Sequence, residues 1–153
     1  MGHLHDYGEE YFQKQALNTG DIDATNCYVG IYLDDPEEGG DDLEDSSNIE
    51  DITTEPDDGN YERAEIPLDS ENIEILTDGE NAVAEFNDIE LDILDTTGNV
   101  DSWFVVINFE SDYAGDTSPS DNLVLSGRLN VAEPEELDEL NIIELVDIGG
   151  ELN

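Results

Sequence analysis

The stretch Val100–Val131 constrains the rest of the chain. It opens as VDSWFVVINF (Val100–Phe109), which holds the single Trp and is apolar at six of the seven positions from Trp103 to Phe109. Such a run fits a strand buried on both faces. A polar segment follows, ESDYAGDTSPSD (Glu110–Asp121), in which Gly115 and Pro119 interrupt regular structure. The chain then returns as NLVLSGRLNV (Asn122–Val131). Strict alternation places Leu123, Leu125, Leu129 and Val131 on one face, and Val124, Ser126, Arg128 and Asn130 on the other. The expectation is a β-hairpin with a polar loop, central to an all-β domain.

The flanking segments supply the other layers. NCYVGIYL (Asn26–Leu33) alternates two apolar sets and reads as a strand. Tyr61–Leu68 turns Ala64, Ile66 and Leu68 inward, and Pro67 marks an edge or a strand end. Ile73–Leu76, Ala82–Phe86 and Ile89–Leu94 are further strands, with a hairpin turn at Asp78-Gly79. Asn141–Ile148 is the last strand, stopped by Gly149-Gly150. Glu133–Leu140 reads as a surface connection, and Asp34–Asn60 as a long acidic loop that Ile49 and Ile52 touch to the core. Tyr7–Leu17 forms a short helix, ended by Asn18-Thr19-Gly20. A helix of this length needs a docking surface. The fold expected is a single β-sandwich, jelly-roll-like, of seven or eight strands (residues 21–153), preceded by an N-terminal segment with the helix (residues 1–20).

Charge limits what this fold can do. The 153 residues include 43 acidic and three basic ones, Lys14, Arg63 and Arg128, for a net charge of −40. Disorder would need low hydrophobicity as well. Here 37% of residues are hydrophobic and they are arranged in strands. The alternative is a folded protein adapted to brine, where a Debye length of about 3 Å near 1 M salt removes the repulsion. Solvent cations are its natural companions. A surface of this sign repels nucleic acid and anionic membrane, so neither is an expected partner. The lone Cys27 lies in an apolar run and reads as a buried, inert thiol. MGHLHDYGEE has no basic region followed by an apolar stretch, so the chain is expected to be made in the cytoplasm.

No reaction chemistry stands out. Carboxylate pairs are too frequent to single out a glycosidase pair. His3 and His5 form a His-x-His that lacks further ligands and reads as a flexible tip. The acidic runs lack the alternating oxygen ligands, Gly and distal Glu of a calcium loop. No glycine-rich phosphate loop is present. The expectation is a non-enzymatic protein with no cofactor and no dedicated metal site. In so acidic a chain Arg63 and Arg128 must meet carboxylates, either within the chain or across a subunit contact.

In order and spacing these segments resemble the small virion structural proteins of tailed viruses, described as tail-fibre, head-fibre, collar, turret or capsid-decoration proteins. The residues carrying the resemblance are Tyr28-Val29-Gly30-Ile31-Tyr32-Leu33-Asp34-Asp35-Pro36, then Tyr61-Glu62-Arg63, the strand Ala82–Phe86, the Trp-initiated strand Trp103–Phe109, and Asn122–Leu129. The order and spacing match over about Leu17–Ile148. Two departures are the long ESDYAGDTSPSD segment and Glu139-Leu140-Asn141, where the family has Gly-Asp. The resemblance implies a β-sandwich acting as a homo-oligomeric building block beside other virion proteins, and the acidity points to a virus of a haloarchaeon. The expected location is the virion, on the capsid surface (vertex turret or decoration) or the tail. Tyr7, Tyr11, Phe12, Arg63 and Arg128 are the candidate subunit contacts. Two alternatives are a host-surface adsorption module reading a glycan through the loops Asp34–Asn60 and Glu110–Asp121, and an acidic DNA mimic.

Overall fold

A computed structural model describes residues 2–17, 24–78 and 81–152. In chain order it contains β1 (His3–Leu4), α1 (Asp6–Leu17), β2 (Asn26–Tyr32), β3 (Ala64–Pro67), β4 (Ile73–Asp78), β5 (Asn81–Phe86), β6 (Ile89–Asp92), β7 (Asn99–Val100), β8 (Ser102–Ser111), β9 (Asp116–Arg128), β10 (Glu135–Glu136), β11 (Ile142–Leu145) and β12 (Gly149–Leu152). The all-β class with a short N-terminal helix holds. The described residues hold twelve strands, more than the seven or eight expected. The proposed helix stop at Asn18-Thr19-Gly20 and the Gly79 of the proposed turn lie outside the described residues.

Five strands form one sheet in the order β1-β9-β8-β2-β3. A second sheet runs β12-β5-β4, and two ribbons pair β6 with β11 and β7 with β10. One apolar cluster joins these layers. Cys27, Val29, Ile31, Trp103, Val105 and Ile107 enter it from the five-stranded sheet. Phe86, Leu91, Ile143 and Leu145 enter it from the facing strands, and Ile93 and Ile148 from just beyond strand ends. The alternation in β6 places Ile89 and Leu91 inside and Glu90 and Asp92 outside, as the period of two requires.

β8 is buried on both faces as its composition demands. Its other face carries Phe104 and Val106, which pack with Tyr32 and Leu123 in a second cluster. That cluster is roofed by the acidic segment after β2, through Leu43, Ile49 and Ile52. The segment is therefore an ordered cover, held by its own carboxylates. Asp41 accepts from the Thr53 amide (3.0 Å), the Thr53 hydroxyl (2.6 Å) and the Thr54 hydroxyl (2.7 Å). The Leu43 amide donates to Asp34 (2.9 Å).

Four local expectations are corrected. The segment Glu110–Asp121 is mostly strand, because β8 and β9 keep pairing out to Ser111 and Asp116. The alternation in the second limb breaks, because Val105 pairs Leu125 while Val106 pairs Leu123. This bulge inserts Val124. Val124 and Leu125 then both serve the main cluster, while Leu123 falls on the other face. The connection Glu133–Leu140 buries Leu137 completely. Gly149-Gly150 begins β12 instead of stopping a strand. Glycine is needed there because a side chain would strike the Ala84 carbonyl or, at 2.7 Å, the Leu125 methyl.

Residues 2–5 are not a flexible tip. Leu4 pairs Leu125 and His3 pairs Ser126 on the β9 edge. The Gly2 amide donates to the Gly149 carbonyl (2.7 Å), so residues 2–4 bridge the edges of the two sheets. His5 is buried, and its amide donates to the carbonyl of the bulged Val124 (3.0 Å).

Candidate functional site

The residues proposed for subunit contact fall into two groups: an N-terminal arm (β1 and α1) and the arginines around β2. In α1 the (i, i+4) pair Tyr7 and Tyr11 forms a stripe that packs onto the hairpin. Tyr11 meets Phe109 with ring centres 5.2 Å apart, and Tyr7 meets Tyr113 at 4.9 Å. Both are nearly inaccessible, Tyr11 at 3% and Tyr7 at 5% exposure, so their rings are used within the chain. Burial pushes both phenols above their ordinary pKa. Phe12 is only partly buried. It lies at a cleft of about 630 Å³ with Leu68, Ile73, Phe86 and Ile107.

The one lysine fixes α1 to the hairpin. Lys14 is 9% exposed and donates to the Glu110 carbonyl (3.1 Å). Its ammonium lies 3.2 Å from Glu10 and 3.3 Å from Asp112. Glu10 in turn accepts from the Ser111 hydroxyl (2.7 Å) and from the amides of Asp112 and Tyr113. A carboxylate gathering this many donors is stabilised in its charged form. Its pKa lies below the ordinary value, because these bonds outweigh the opposing effect of burial.

Arg63 grips Glu55 through two parallel bonds, Nε to Oε1 at 2.8 Å and Nη2 to Oε2 at 2.7 Å. Its guanidinium also stands 5.2 Å from the centre of the Phe104 ring. Glu55 accepts the Tyr61 hydroxyl (2.9 Å), and that oxygen accepts the Ile31 amide (3.1 Å) beyond the end of β3. Burial and the Glu55 charge raise the Tyr61 pKa far above that of a free phenol. Gly30 makes the arrangement possible. A methyl group there would strike Phe104 and come within 2.6 Å of the Tyr61 hydroxyl. Gly30→Ala is expected to cost about 2–3 kcal/mol, since neither ring has room to move. A denaturant midpoint in brine that matches the wild type would show that this reading is wrong.

Arg128 is half exposed and donates to Asp101 (2.7 Å), with Asp34 3.5 Å away. Asp101 is buried and is a hub. One oxygen accepts the Asp34 amide (2.8 Å) and the Ser102 hydroxyl (2.8 Å). The other accepts the Asp35 amide (3.2 Å) and Arg128. Both arginines thus find their carboxylates within the chain.

Sequence reasoning passed over Asn48, which is also structural. Its carbonyl oxygen accepts the Leu123 amide (2.7 Å), and its amide donates to Asn122 (3.0 Å). The acidic segment is thereby fastened to the β9 edge. An Asn within an acidic segment gives no such signal by itself. Cys27 sits in the core with its thiol pushed up to about 12 by burial, so it stays protonated and inert at neutral pH. Among the described residues no group of three His, Cys, Asp or Glu side chains is placed to hold a metal ion, and no helix is long and apolar enough to cross a membrane. No family model, no curated protein and no solved structure matches this chain.

Proposed function

We propose that the chain is a non-enzymatic structural protein of a halophilic tailed virus, a homo-oligomeric component of the capsid surface, as a vertex turret or decoration, or of the tail. The observation that carries this reading is the position of the residues behind the resemblance. Tyr28–Pro36, Tyr61–Arg63, Trp103–Phe109 and Asn122–Leu129 meet in or beside the five-stranded sheet, while Ala82–Phe86 lies in the β12-β5-β4 sheet. Their polar groups serve backbone and neighbouring side chains: Tyr61 the Ile31 amide, Arg63 Glu55, and Arg128 Asp101. A motif consumed in building a scaffold suits a protein whose activity is its shape. The contact surfaces would then come mainly from outside these residues; of the five candidates, Tyr7 and Tyr11 are buried, Phe12 is the available aromatic at the cleft and Arg128 is half exposed.

The test is the assembly state of the purified chain by light scattering in about 2–3 M salt, where charge repulsion is screened. A closed symmetric oligomer is expected. A monomer at high protein concentration would overturn the proposal. Imaging of halophilic virus particles would then place the chain on the particle. Its absence there would return the DNA-mimic reading to the front.

A further inference from the structure

The buried histidine in the arm has a function beyond filling space. His5 sits at the junction of three elements. Its Nδ1 is 2.9 Å from the Glu44 carbonyl of the acidic segment, and its Nε2 is 2.7 Å from the Ser126 hydroxyl of β9. A carbonyl can only accept, so Nδ1 carries the hydrogen. In the neutral ring Nε2 therefore accepts from Ser126. Immediately before it, residues 2–4 bridge β9 and β12. Immediately after it, α1 begins and carries Tyr7 and Tyr11 into the core. His5 is thus the point at which the arm is clasped to both the sheet and its cover.

We propose that the N-terminal arm, residues 2–17, is a strap whose closure requires a neutral His5, so that acidification below neutral pH releases it from the seam between the two sheets.

The surroundings support this direction. Protonation adds a second N–H at Nε2, so Ser126 must give up donating to the ring and accept from it. The charge would also sit in a nearly water-free site. The titratable groups facing the ring are His3 on β1, 5.0 Å away edge-on, and Asp45 of the acidic segment. Behind Ser126 stands the Tyr32 phenol of β2. Asp45 also contacts His3, and the other nearby charges are engaged elsewhere: Asp6 meets the Tyr113 hydroxyl, and Arg128 meets Asp101. Burial is the largest influence and His3 adds to it. Together they hold His5 below its ordinary value of 6.5, against the opposing pull of the Glu44 and Asp45 backbone and the Asp45 carboxylate. A released arm exposes His5 to water and restores the ordinary value. The open form then binds the extra proton, and closure, fully present above about 6.5, weakens as pH falls from there towards the closed-state value. Within that window one proton changes the opening equilibrium by up to about tenfold per pH unit.

Hydrogen exchange read by mass spectrometry in about 3 M KCl, between pH 8 and 5 and corrected for intrinsic rates, tests the strap. Protection of residues 2–17 should fall by up to about tenfold per pH unit below 6.5, while protection of Trp103–Phe109 stays level. His5→Gln should flatten the pH dependence of the arm, and His3→Gln should keep it. An arm whose protection does not change with pH, or a His5→Gln variant that still loses it, would overturn the proposal. An NMR titration of the wild-type His5 ring gives a second reading that needs no variant. A midpoint well below 6.5 supports the strap, and one at or above 6.5 refutes it.

Discussion

Dilution from about 3 M to about 0.01 M KCl is expected to remove at least about 5 kcal/mol of folding stability and to lower the melting temperature by about 10–20 °C. The folded surface is 8404 Å² and carries a net charge of −40, which spaces the charges about 14 Å apart. Each neighbouring pair then repels by about 0.3 kcal/mol in salt-free water. The Debye length grows from under about 3 Å in brine to about 30 Å at 0.01 M, so every charge comes to feel many others. The unfolded chain repels itself as well, but over greater distances. Strand register adds a local component. Glu74 faces Glu85 across β4 and β5, and Glu90 faces Glu144 across β6 and β11. Like charges directly opposite destabilise a ladder. No basic residue lies in β4, β5, β6, β11 or β12, whereas Arg128 lies on β9 and Arg63 just before β3. The second layer should therefore lose exchange protection before the five-stranded sheet does. The single Trp103 is 1% exposed, so its emission reports the core directly. A melting temperature unchanged over the whole salt range would show that the carboxylates do not repel one another in the folded state. Glu90→Gln combined with Glu144→Gln should raise the low-salt melting temperature and leave the brine value nearly unchanged.

The sequence showed those parts of the fold in which one residue pattern admits one environment. Trp103–Phe109 has no polar face, so it had to be central. Ile89, Leu91 and Ile93 alternate with acids, so they had to cover a core. The bulge at Val124 was hidden, because Val124 and Leu125 are both apolar and either alternation looks acceptable until the partner strand sets the register. The acidic cover was hidden for a different reason. A carboxylate that accepts two amides and one that faces solvent are the same letter, and only folding distinguishes Asp41 and Asp101 from the rest. His5 lies close to the terminus, where a histidine pair reads as a tip. Its burial follows from β1 lying on the β9 edge, a pairing of two residues with no periodicity to reveal it. The Tyr7–Tyr11 stripe was legible, but its partner was not. The stripe serves the hairpin of its own chain, which leaves Phe12 as the more open aromatic of α1.

Asp101→Asn tests whether this acidic protein depends on particular carboxylates or only on their number. The substitution removes one charge and no volume. In a chain where acids repel, it would help if charge alone mattered. The geometry gives the opposite expectation. Each oxygen of Asp101 accepts two donors: the Asp34 amide and Ser102 hydroxyl on one side, the Asp35 amide and Arg128 on the other. Whichever way the asparagine turns, its NH₂ meets donors and leaves them unpaired in a site 4% exposed. The expected loss is about 2–3 kcal/mol, and about 3–5 kcal/mol for Asp101→Ala, which leaves all four donors without their acceptor. Arg128→Ala should cost only about 1 kcal/mol, because that side chain is half in water and its removal leaves Asp101 three partners. Denaturant unfolding in about 3 M KCl reads these differences with the general repulsion screened out. An Asp101→Asn variant as stable as the wild type would mean that the turn at Asp34-Asp35 holds without its acceptor. The acidic cover over Phe104 and Leu123 would then owe its order to Leu43, Ile49, Ile52 and Asn48 and to the bonds that Asp34 and Asp41 accept within it.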